Sequence, residues 1–460
     1  MKVFLNKMNK NIFRAYDIRG NSKTDLDQSL IKKIGYVLGE RIKKNNHDSV
    51  YVGHDSRLSA QEIQSALVVG LNAAGIKVFL LGMVPTPMVY FATKTGVTPN
   101  GVMITGSHNP KDDNGLKIVI NDDAISGLEL LSEVENQADV IHVETDCEKI
   151  NLFPQYQKEI NQKFRLNKKI KIVLDAGNGA AGEVADSIFK SQGFETISIN
   201  KDPDGNFPNH HPDPSKEENL EQLKSTVIEN KADIGFAFDG DGDRVGMITS
   251  EGKSVLSDHL IMILSKHFLK KRKGAIIFDV KCSNQLPILI EKSGGKAIME
   301  KTGHFNIKRA IKTHDAVLGG EMSGHIFINH DWYGFDDAVY TAAILAKIIS
   351  DTGLPASSII GQFQKTFATP ELNLNVDDAK KFKMVEKFKE QMQFPDAEFN
   401  TIDGVRVSIG SSWGLMRASN TSPKLVFRFE AETEEDLKRI KDLFESNLKN
   451  IFPELNLDFN

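Results

Sequence analysis

The chain has 460 residues, of which 40% are hydrophobic and 26% are charged, and its formal net charge is -5. This length exceeds what one hydrophobic core usually serves, and the acidic balance argues against a general binder of nucleic acid or membrane surfaces. Met1–Lys7 lacks the apolar stretch of a signal peptide, no run approaches membrane-spanning length, and Cys147 and Cys282 have no metal-type spacing, so we expect a cytoplasmic protein of several domains.

The predicted elements repeat along the first three-quarters of the chain. An apolar run that ends in aspartate occurs at 50–55, 172–175 and 276–279, so the aspartates lie 120 and 104 residues apart, the size of a small domain. A helix-like stretch follows each run. Next comes a strand that begins with glycine, and its three copies are Gly75–Phe79, Gly193–Ile197 and Gly295–Ile298. Alternating strands and helices predict parallel sheets with right-handed crossovers.

A third apolar run in each repeat leads into a loop with polar side chains. The three loops are Thr105–Pro110, Asp239–Arg244 and Gly320–His325. Because the repeat is too long for a solenoid unit, it indicates separate domains. We expect three similar α/β domains with mixed, mostly parallel sheets, at residues 1–150, 151–255 and 256–366.

The pattern changes near Phe367, and a smaller α+β domain is predicted at residues 367–460. Two runs that alternate like half-exposed strands and a charged helix support it: Val405–Ile409, Lys424–Phe429 and Glu434–Lys449. Between the strands, the loop Arg417–Pro423 carries hydroxyls, an amide and one arginine. This composition suits a phosphate, because arginine binds two of its oxygens and hydroxyls bind the others, although a plain hairpin turn explains the loop equally well.

Two of these loops point to phosphoryl transfer. Ser107 offers a hydroxyl beside His108 in a turn bounded by glycine and proline, although a lone serine there also fits a helix N-cap. Asp239, Asp241 and Asp243 stand at alternate positions, separated only by glycines. Three such carboxylates repel each other unless a hard cation neutralises them, and all-oxygen ligation suits Mg²⁺. Both loops follow a buried strand, where open α/β sheets bind ligands, so we predict a serine nucleophile beside a magnesium site.

The residues also allow other functions. Gly177–Gly182 follows a strand, with Asp202 twenty residues further on, as in a dinucleotide-binding dehydrogenase, but Asp175 would bring a negative charge close to the pyrophosphate. The strand end Asp239–Asp241 also fits an aspartyl-phosphate phosphotransferase, in which the first aspartate carries the phosphate. A sugar-phosphate-binding protein without turnover is a third alternative. His210–His211 lies in a proline-rich loop and lacks the ligand spacing of a metal site.

Six segments in chain order resemble the α-D-phosphohexomutase family and, within it, the bacterial phosphomannomutase/phosphoglucomutase group. They are Phe13–Gly20, the Ser107 loop, the triple-aspartate loop, Lys301–His304, Gly320–His325 and Arg417–Thr421. The resemblance implies a four-domain, heart-shaped molecule in which one loop from each domain meets in a central cleft. It also implies that Ser107 carries a phosphate that passes to a hexose phosphate, and that the resulting hexose 1,6-bisphosphate turns around and returns its other phosphate.

The resemblance implies roles for particular side chains. The implied catalytic residues are Ser107, Lys117, Arg19, His304, His325 and Arg244. The implied substrate-binding residues are Tyr16, Lys281, Glu321, Ser323, His325, Arg417, Ser419, Asn420 and Thr421. The implied Mg²⁺ ligands are Ser107, Asp239, Asp241 and Asp243. The general base stays open among His325, His304 and Lys117.

Mannose and glucose phosphates are the expected substrates, with hexose 1,6-bisphosphate as activator and intermediate and with no nucleic-acid or membrane partner. Phosphoglucosamine mutase is the alternative within the family. That group has glutamine where Met322 stands and a Gly-Thr-Glu run in the last loop, where this chain has Asn420–Ser422. The preference between mannose and glucose, the pathway and the oligomeric state stay open, and a monomer is compatible with the sequence.

Overall fold

The computed structural model describes residues 8–141, 143–163, 166–420, 422–455 and 459. Four β-sheets of seven, five, four and six strands follow one another along these residues. The first three sheets are mixed and accompanied by helices, and the last is antiparallel. This arrangement confirms the expected α/β fold with a smaller C-terminal α+β part.

The first sheet and its helices are built from the N-terminal third of the chain. Its strands are β1 (Ile18–Asn21), β2 (Ser49–His54), β3 (Lys77–Met83), β4 (Gly101–Ile104), β5 (Asp113–Ile120), β6 (Asp123–Ile125) and β7 (Cys147–Lys149), and its helices are α1 (Gln28–Lys44), α2 (Ala60–Ala73), α3 (Thr86–Thr95) and α4 (Gly127–Asn136). The order is β1-β5-β4-β2-β3-β7, with β6 beside β5. Asp27 caps α1 by accepting from the Leu30 amide at 2.8 Å.

The second and third sheets are smaller. The second comprises α5 (Phe153–Lys163), β8 (Lys171–Asp175), α6 (Gly182–Ser191), β9 (Glu195–Ile199), α7 (Glu221–Glu229), β10 (Ile234–Phe238), β11 (Val245–Thr249) and β12 (Ser254–Val255). The third comprises α8 (Ser257–Lys271), β13 (Ala275–Asp279), α9 (Gln285–Lys292), β14 (Lys296–Glu300), α10 (His304–His314), β15 (Leu318–Gly320), β16 (Ile326–Ile328), α11 (Ala338–Thr352) and α12 (Ala356–Ile360).

These three sheets share one core of four strands. The cores are β5-β4-β2-β3, β11-β10-β8-β9 and β16-β15-β13-β14. In each core, three strands are parallel and the outer strand is antiparallel to its neighbour. The predicted threefold repeat is therefore confirmed, and the loop of interest always joins the third parallel strand to the antiparallel one.

The C-terminal sheet has a different topology. Its elements are β17 (Phe367–Ala368), β18 (Leu372–Asn375), α13 (Lys381–Gln391), β19 (Glu398–Asn400), β20 (Val405–Ile409), β21 (Ser412–Ala418), β22 (Lys424–Ala431) and α14 (Glu434–Ile451). The order is β17-β22-β21-β20-β19, with β18 also beside β22. We propose that the domain boundaries fall near residues 150, 255 and 366, because these points separate one sheet from the next.

Helix α11 joins the second and third domains. It is apolar around most of its circumference, and it packs against β10, β11, β16 and α8, so its burial is expected. Asp337 caps it and accepts from the Tyr340 amide at 2.9 Å. Within the part of the chain that the structure describes, no helix has both the length and the apolar character that crossing a membrane requires.

Candidate active site

The serine loop, residues 105–112, joins β4 to β5. Ser107 is 2% exposed, and its φ of +49° places it in the left-handed region, which a serine rarely adopts. Its Oγ donates to Asp239 Oδ2 of the second domain at 2.8 Å and lies 3.1 Å from His108 Nδ1. The Thr105 hydroxyl accepts from the Ser107 amide at 2.7 Å and fixes the turn. The hydroxyl therefore lies at the boundary between two domains.

A buried arginine that the sequence analysis did not single out holds this loop. The Arg57 guanidinium donates to the backbone oxygens of Ser107 (2.7 Å), Asn109 (2.6 Å) and Asp113 (2.8 Å). Asp55, directly after β2, lies 3.3 Å from Arg57 and accepts from the Thr105 hydroxyl at 2.7 Å. Because all three side chains are buried, these contacts fix the serine loop against the end of the neighbouring strand.

The acidic loop, residues 239–244, joins β10 to β11 and faces the serine loop. Asp239, Asp241 and Asp243 are fully buried, and a carboxylate oxygen from each lies within 4.8 Å of the others. Asp239 Oδ1 accepts from the amides of Asp243 at 3.0 Å and Arg244 at 3.1 Å, which closes the turn. The Oδ1 atoms of Asp241 and Asp243 are buried and accept no hydrogen bond from any described residue. This cluster can therefore hold a metal ion, since unpaired buried oxygens suit a hard cation.

Lys117 and the three carboxylates determine the charge of the cluster. Burial and the charges of Asp241 and Asp243 raise the pKa of Asp239. Burial would also raise the pKa of Asp241, but the Lys117 ammonium, 2.6 Å from its Oδ2, lowers it. Lys117 contacts Asp243 as well, and the two carboxylates outweigh burial and raise the pKa of Lys117 well above its usual value. Lys117 is therefore held as an ammonium ion, which disfavours it as a general base.

Two further residues of the first domain, Arg19 and Thr86, bind the serine loop and the acidic loop. Arg19, on β1, donates to the Gly106 oxygen at 2.6 Å and pairs with Asp17. Thr86, at the start of α3, donates its amide to the Asp241 oxygen at 2.8 Å, and its hydroxyl binds the Asp241 carboxylate. Arg19 therefore adds a positive charge beside the serine loop, while Thr86 fixes the acidic loop to the first domain.

His325 connects the third domain to the acidic loop. Its Nε2 accepts from Arg244 Nε at 2.9 Å, so the ring proton lies on Nδ1, which faces Asp336 Oδ2 at 3.0 Å and Asp243 Oδ1 at 3.5 Å. Asp243, His325 and Asp336 form a second group of metal-ligand type. However, Lys308 lies 3.3 Å from Asp336, and with His325 it outweighs burial and holds the Asp336 pKa well below its usual range. Asp336 is therefore already paired with Lys308 and His325 of its own domain.

The polar side chains of the loop 320–325 face the first turn of α10. Glu321 is 2% exposed; its Oε1 accepts from the Gly303 amide at 2.7 Å and its Oε2 accepts from the Ser323 hydroxyl at 3.1 Å. Burial raises the Glu321 pKa. The His304 ring lies 5.8 Å from the His325 ring, centroid to centroid, and burial and the Lys308 charge lower the His304 pKa well below its usual value. The predicted residues Glu321, Ser323 and both histidines are thus brought together.

Lys281 lies at the boundary between the third and fourth domains. Its Nζ is 3.0 Å from Glu371 Oε2 and 3.8 Å from Asp279 Oδ2. The Lys281 charge lowers the pKa of Glu371 to about 2, so the pair is ionic at neutral pH. This ion pair connects the end of β13 to the segment that enters the C-terminal sheet.

Loops from the first, third and fourth domains are in direct contact. The Tyr16 hydroxyl donates to the Thr302 oxygen at 2.8 Å, and the Asn420 amide group donates to the same hydroxyl. Asp403 accepts from Arg417 Nε at 2.9 Å and from the Thr302 amide at 3.0 Å. These bonds describe a closed arrangement in which the C-terminal loop reaches the other two domains.

The structure corrects one detail of the C-terminal loop. Arg417 is not part of a loop but lies near the end of β21, a strand that the sequence analysis missed because all seven of its residues are buried and show no alternation. The Ser419 hydroxyl accepts from the Ser422 amide at 3.2 Å, so a turn begins directly after the strand. Thr421 lies outside the described residues.

Backbone of other segments packs against the glycine-rich turn at residues 177–182, where a dinucleotide would need space. A Cβ on Gly179 would lie 2.7 Å from the Gly240 oxygen, and one on Gly182 would lie 2.0 Å from the Lys201 oxygen. These glycines therefore allow close packing of backbone segments, and the dehydrogenase interpretation is not supported.

Models of the phosphoglucomutase/phosphomannomutase family match the whole of this architecture. The alpha/beta/alpha domains I, II and III match residues 10–142, 154–252 and 256–367, and the C-terminal domain matches residues 371–446. The chain belongs to this family.

Relatives with names and solved structures agree with that membership. The chain is 45% identical to the phosphomannomutase/phosphoglucomutase of Pseudomonas syringae pv. tomato, with 97% of each chain covered. It is 40% identical to the phosphoglucomutase of Neisseria gonorrhoeae, covering 96% of this chain and 99% of the relative. A crystal structure of a phosphoglucomutase/phosphomannomutase family protein from Burkholderia thailandensis matches with a TM-score of 0.91 and 38% identity, over 98% of this chain and 100% of that one.

Proposed function

We propose that the protein interconverts the 1- and 6-phosphates of mannose and glucose through a phosphate carried on Ser107. The observation that carries this proposal is the contact of 2.8 Å between Ser107 Oγ and Asp239 Oδ2, because it places a hydroxyl nucleophile against a cluster able to hold a metal ion. The phosphate on Ser107 passes to the free hydroxyl of a hexose phosphate. The resulting hexose 1,6-bisphosphate reorients and returns its other phosphate to Ser107, and added bisphosphate therefore activates an unphosphorylated enzyme.

We assign Mg²⁺ to Asp239, Asp241 and Asp243, together with the phosphorylated Ser107. When bound, the ion neutralises charge on the phosphoryl oxygens, which is the main requirement of phosphoryl transfer. The buried, unpaired Oδ1 atoms of Asp241 and Asp243 fit this assignment. Lys117 places a further positive charge on the same side, 2.6 Å from Asp241.

Among the three candidate general bases, His325 has the best-supported geometry. Its Nδ1 proton faces Asp336, so Nε2 carries the lone pair that can accept a proton from a sugar hydroxyl. When a hydroxyl takes the place of Arg244 at this nitrogen, Arg244 is released toward the phosphate. Asp336 then stabilises the imidazolium that forms. We assign His304, on the neighbouring turn, to substrate positioning.

The sugar and its second phosphate are assigned to the third and fourth domains. Glu321 and Ser323 suit neighbouring hydroxyls, O3 and O4, which mannose and glucose share, so recognition there tolerates either 2-epimer. Arg417, with Ser419 and Asn420, suits the phosphate that is not transferred. In the two half-reactions the phosphate that is not transferred is attached to opposite ends of the same sugar, so a phosphate site at the C-terminal domain serves both orientations of the intermediate.

We propose that the enzyme acts on its sugar phosphates in the cytoplasm, because its two cysteines form no disulfide. Cys147 is exposed and Cys282 is buried, and both are free thiols.

A combination of mass measurement and kinetics tests the proposal. Intact mass after incubation with hexose 1,6-bisphosphate should show one added phosphate that survives hydroxylamine, because a phosphoserine resists it and an acyl phosphate on Asp239 does not. Ser107→Ala should lose both this phosphate and the mutase activity. Loss of the phosphate in hydroxylamine would indicate that Asp239, and not Ser107, is the nucleophile.

The substrates are separated by a coupled assay of mannose, glucose and glucosamine 1-phosphates at equal concentrations, each primed with its bisphosphate. Comparable rates on the first two sugars are expected. A clear preference for glucosamine 1-phosphate would replace this proposal with a phosphoglucosamine mutase.

A further inference from the structure

A segment of the second domain lies across the serine loop of the first. It comprises residues 202–214, between β9 and α7, and we refer to it as the strap. The sequence analysis noted its histidines, its prolines and Asp202, and the proposed chemistry gives it no role. Its contacts reach the serine loop, the acidic loop and Arg57.

The strap is anchored firmly within its own domain. His210 Nε2 lies 2.9 Å from Asp175 Oδ2, at the end of β8, and Asp175 is fully buried. Asn178, in the turn after β8, donates to the Asp202 oxygen at 2.9 Å and accepts from the Asn209 amide group at 2.9 Å. Both ends of the strap are therefore fixed to the sheet that also carries the acidic loop.

Beyond these anchors, the strap covers the first domain. A Cβ on Gly205 would lie 2.6 Å from the Ser56 oxygen, so only glycine allows this close approach of the two backbones. The Phe207 ring, 9% exposed, lies 5.3 Å from the Arg57 guanidinium carbon. Since Arg57 binds the backbone oxygens of the serine loop, the ring excludes water from the group that holds the loop.

The end of the strap contacts the serine loop itself. His211 Nε2 lies 2.5 Å from the His108 oxygen, and the nitrogen donates because a carbonyl can only accept. Next to it, Pro212 packs beside Gly240, where a Cβ would lie 2.6 Å from the Ser107 oxygen and 3.4 Å from the Pro212 ring. The strap thus contacts His108 of the serine loop and lies beside Gly240 of the acidic loop.

From these contacts we propose that the strap is a positioning element that holds Ser107 against the acidic loop and shields the phosphate carried there from water, with His211 and Phe207 as its contact residues. This inference rests on the proposed function. The reaction that it suppresses is hydrolysis, in which a water oxygen bonds to phosphorus, the Oγ–P bond breaks, the serine oxygen takes up a proton, and inorganic phosphate leaves. A strap anchored in the domain of the acidic loop suits this task, because its contacts with the serine loop hold the two loops in a fixed arrangement.

The test compares His211→Ala with His211→Gln in the full-length enzyme. His211 is exposed, so neither change disturbs a core, and a glutamine side chain can donate to the same oxygen. We expect His211→Ala to lower kcat by about 10- to 100-fold with little change in KM, since the sugar and distal-phosphate contacts lie in other domains and small displacements of reacting groups have effects of this size. His211→Gln should recover most of that loss.

The second readout is the lifetime of the phosphoserine. Enzyme phosphorylated with hexose 1,6-bisphosphate and freed of sugar is followed by intact mass, and the phosphate should be lost several times faster from His211→Ala and from Phe207→Leu than from the unaltered enzyme. The control is His47→Ala, which removes a histidine whose Nε2 lies 3.3 Å from Asn121 Oδ1, away from the serine loop. Its lifetime and kcat should match the unaltered enzyme.

The outcomes separate this inference from the function on which it rests. If the unaltered enzyme takes up no phosphate, the proposed function fails. If it does, and both His211→Ala and Phe207→Leu keep the normal kcat and phosphoserine lifetime, the strap has no positioning role. An equal loss in His211→Ala and His211→Gln would also overturn the role assigned to the His211 hydrogen bond.

Discussion

Replacing Arg57 by methionine tests whether the buried arginine maintains the serine loop. Methionine keeps much of the apolar stem but removes the charge that faces Asp55 and all the donors to the loop. Three of the bonds lost span 2.6 to 2.8 Å from guanidinium nitrogens to backbone oxygens. Bonds of this charged type contribute about 1.5 to 3 kcal/mol each, but the freed oxygens regain some hydration.

The unpaired Asp55 carboxylate sets the lower limit of the loss of loop stability in Arg57→Met. It is 1% exposed and lies 3.3 Å from Arg57, so the variant leaves a buried charge without its partner. Breaking a buried pair in this way costs about 3 to 5 kcal/mol, and we expect a loss of this size in the free energy that keeps the loop closed. Hydrogen exchange of peptides that cover residues 101–116 measures this opening free energy. A fall of kcat by about 100-fold should accompany it, because Ser107 is displaced.

Two further variants make the test specific. Arg41→Met removes a surface arginine of the same domain that lies 2.7 Å from Glu133, and exposed pairs contribute at most about 1 kcal/mol. Asp55→Asn combined with Arg57→Met removes the unpaired charge, so it should regain part of the lost stability without restoring kcat. Equal exchange and equal kcat in Arg57→Met and Arg41→Met would refute the reasoning.

Three other predictions follow from the same structure. Asp241→Asn should weaken Mg²⁺ binding, measured by titration calorimetry, with little change in the melting temperature, because Lys117 keeps Asp243 as its partner and one of three like charges is removed. Activity that persists in EDTA would contradict the metal assignment. Arg417→Ala should lower kcat/KM in steady-state assays, with a loss of transition-state stabilisation of about 2 to 4 kcal/mol, because the change removes a charged donor to the distal phosphate. An unchanged kcat/KM would show that Arg417 does not bind this phosphate. Burial raises the pKa of Asp337 to about 7, so between about pH 4 and 7 the folded state binds a proton that the unfolded chain has released. The contribution of this proton to the free energy of unfolding is complete below about pH 4 and is lost as the pH rises through 7. The free energy of urea unfolding between pH 5 and 8 should therefore depend less on pH in Asp337→Asn than in the unaltered protein. Equal pH dependence in the two proteins would disprove the role assigned to Asp337.

The sequence alone determined the repeated architecture and the positions of the candidate site loops. Apolar runs that end in Asp55, Asp175 and Asp279 mark equivalent strands, since a buried parallel strand must be apolar along its length and polar side chains can begin only where it ends. The same reasoning located Ser107 and the triple-aspartate turn at strand ends. The family resemblance added Arg19, Lys117 and the residues of the third and fourth domains, many of which carry no local signal of their own.

Only the tertiary structure decided which charged groups pair with one another. Arg57 follows Asp55 by two residues, yet its role became visible only when the loop carbonyl oxygens of residues 107–113 were in place around it. Likewise, Asp336 reads as an ordinary acidic residue until Lys308 and His325 lie beside it. Such contacts join residues far apart in the chain, and the energy of a buried charge depends on its surroundings in three dimensions, which hydrophobic periodicity and local motifs do not contain.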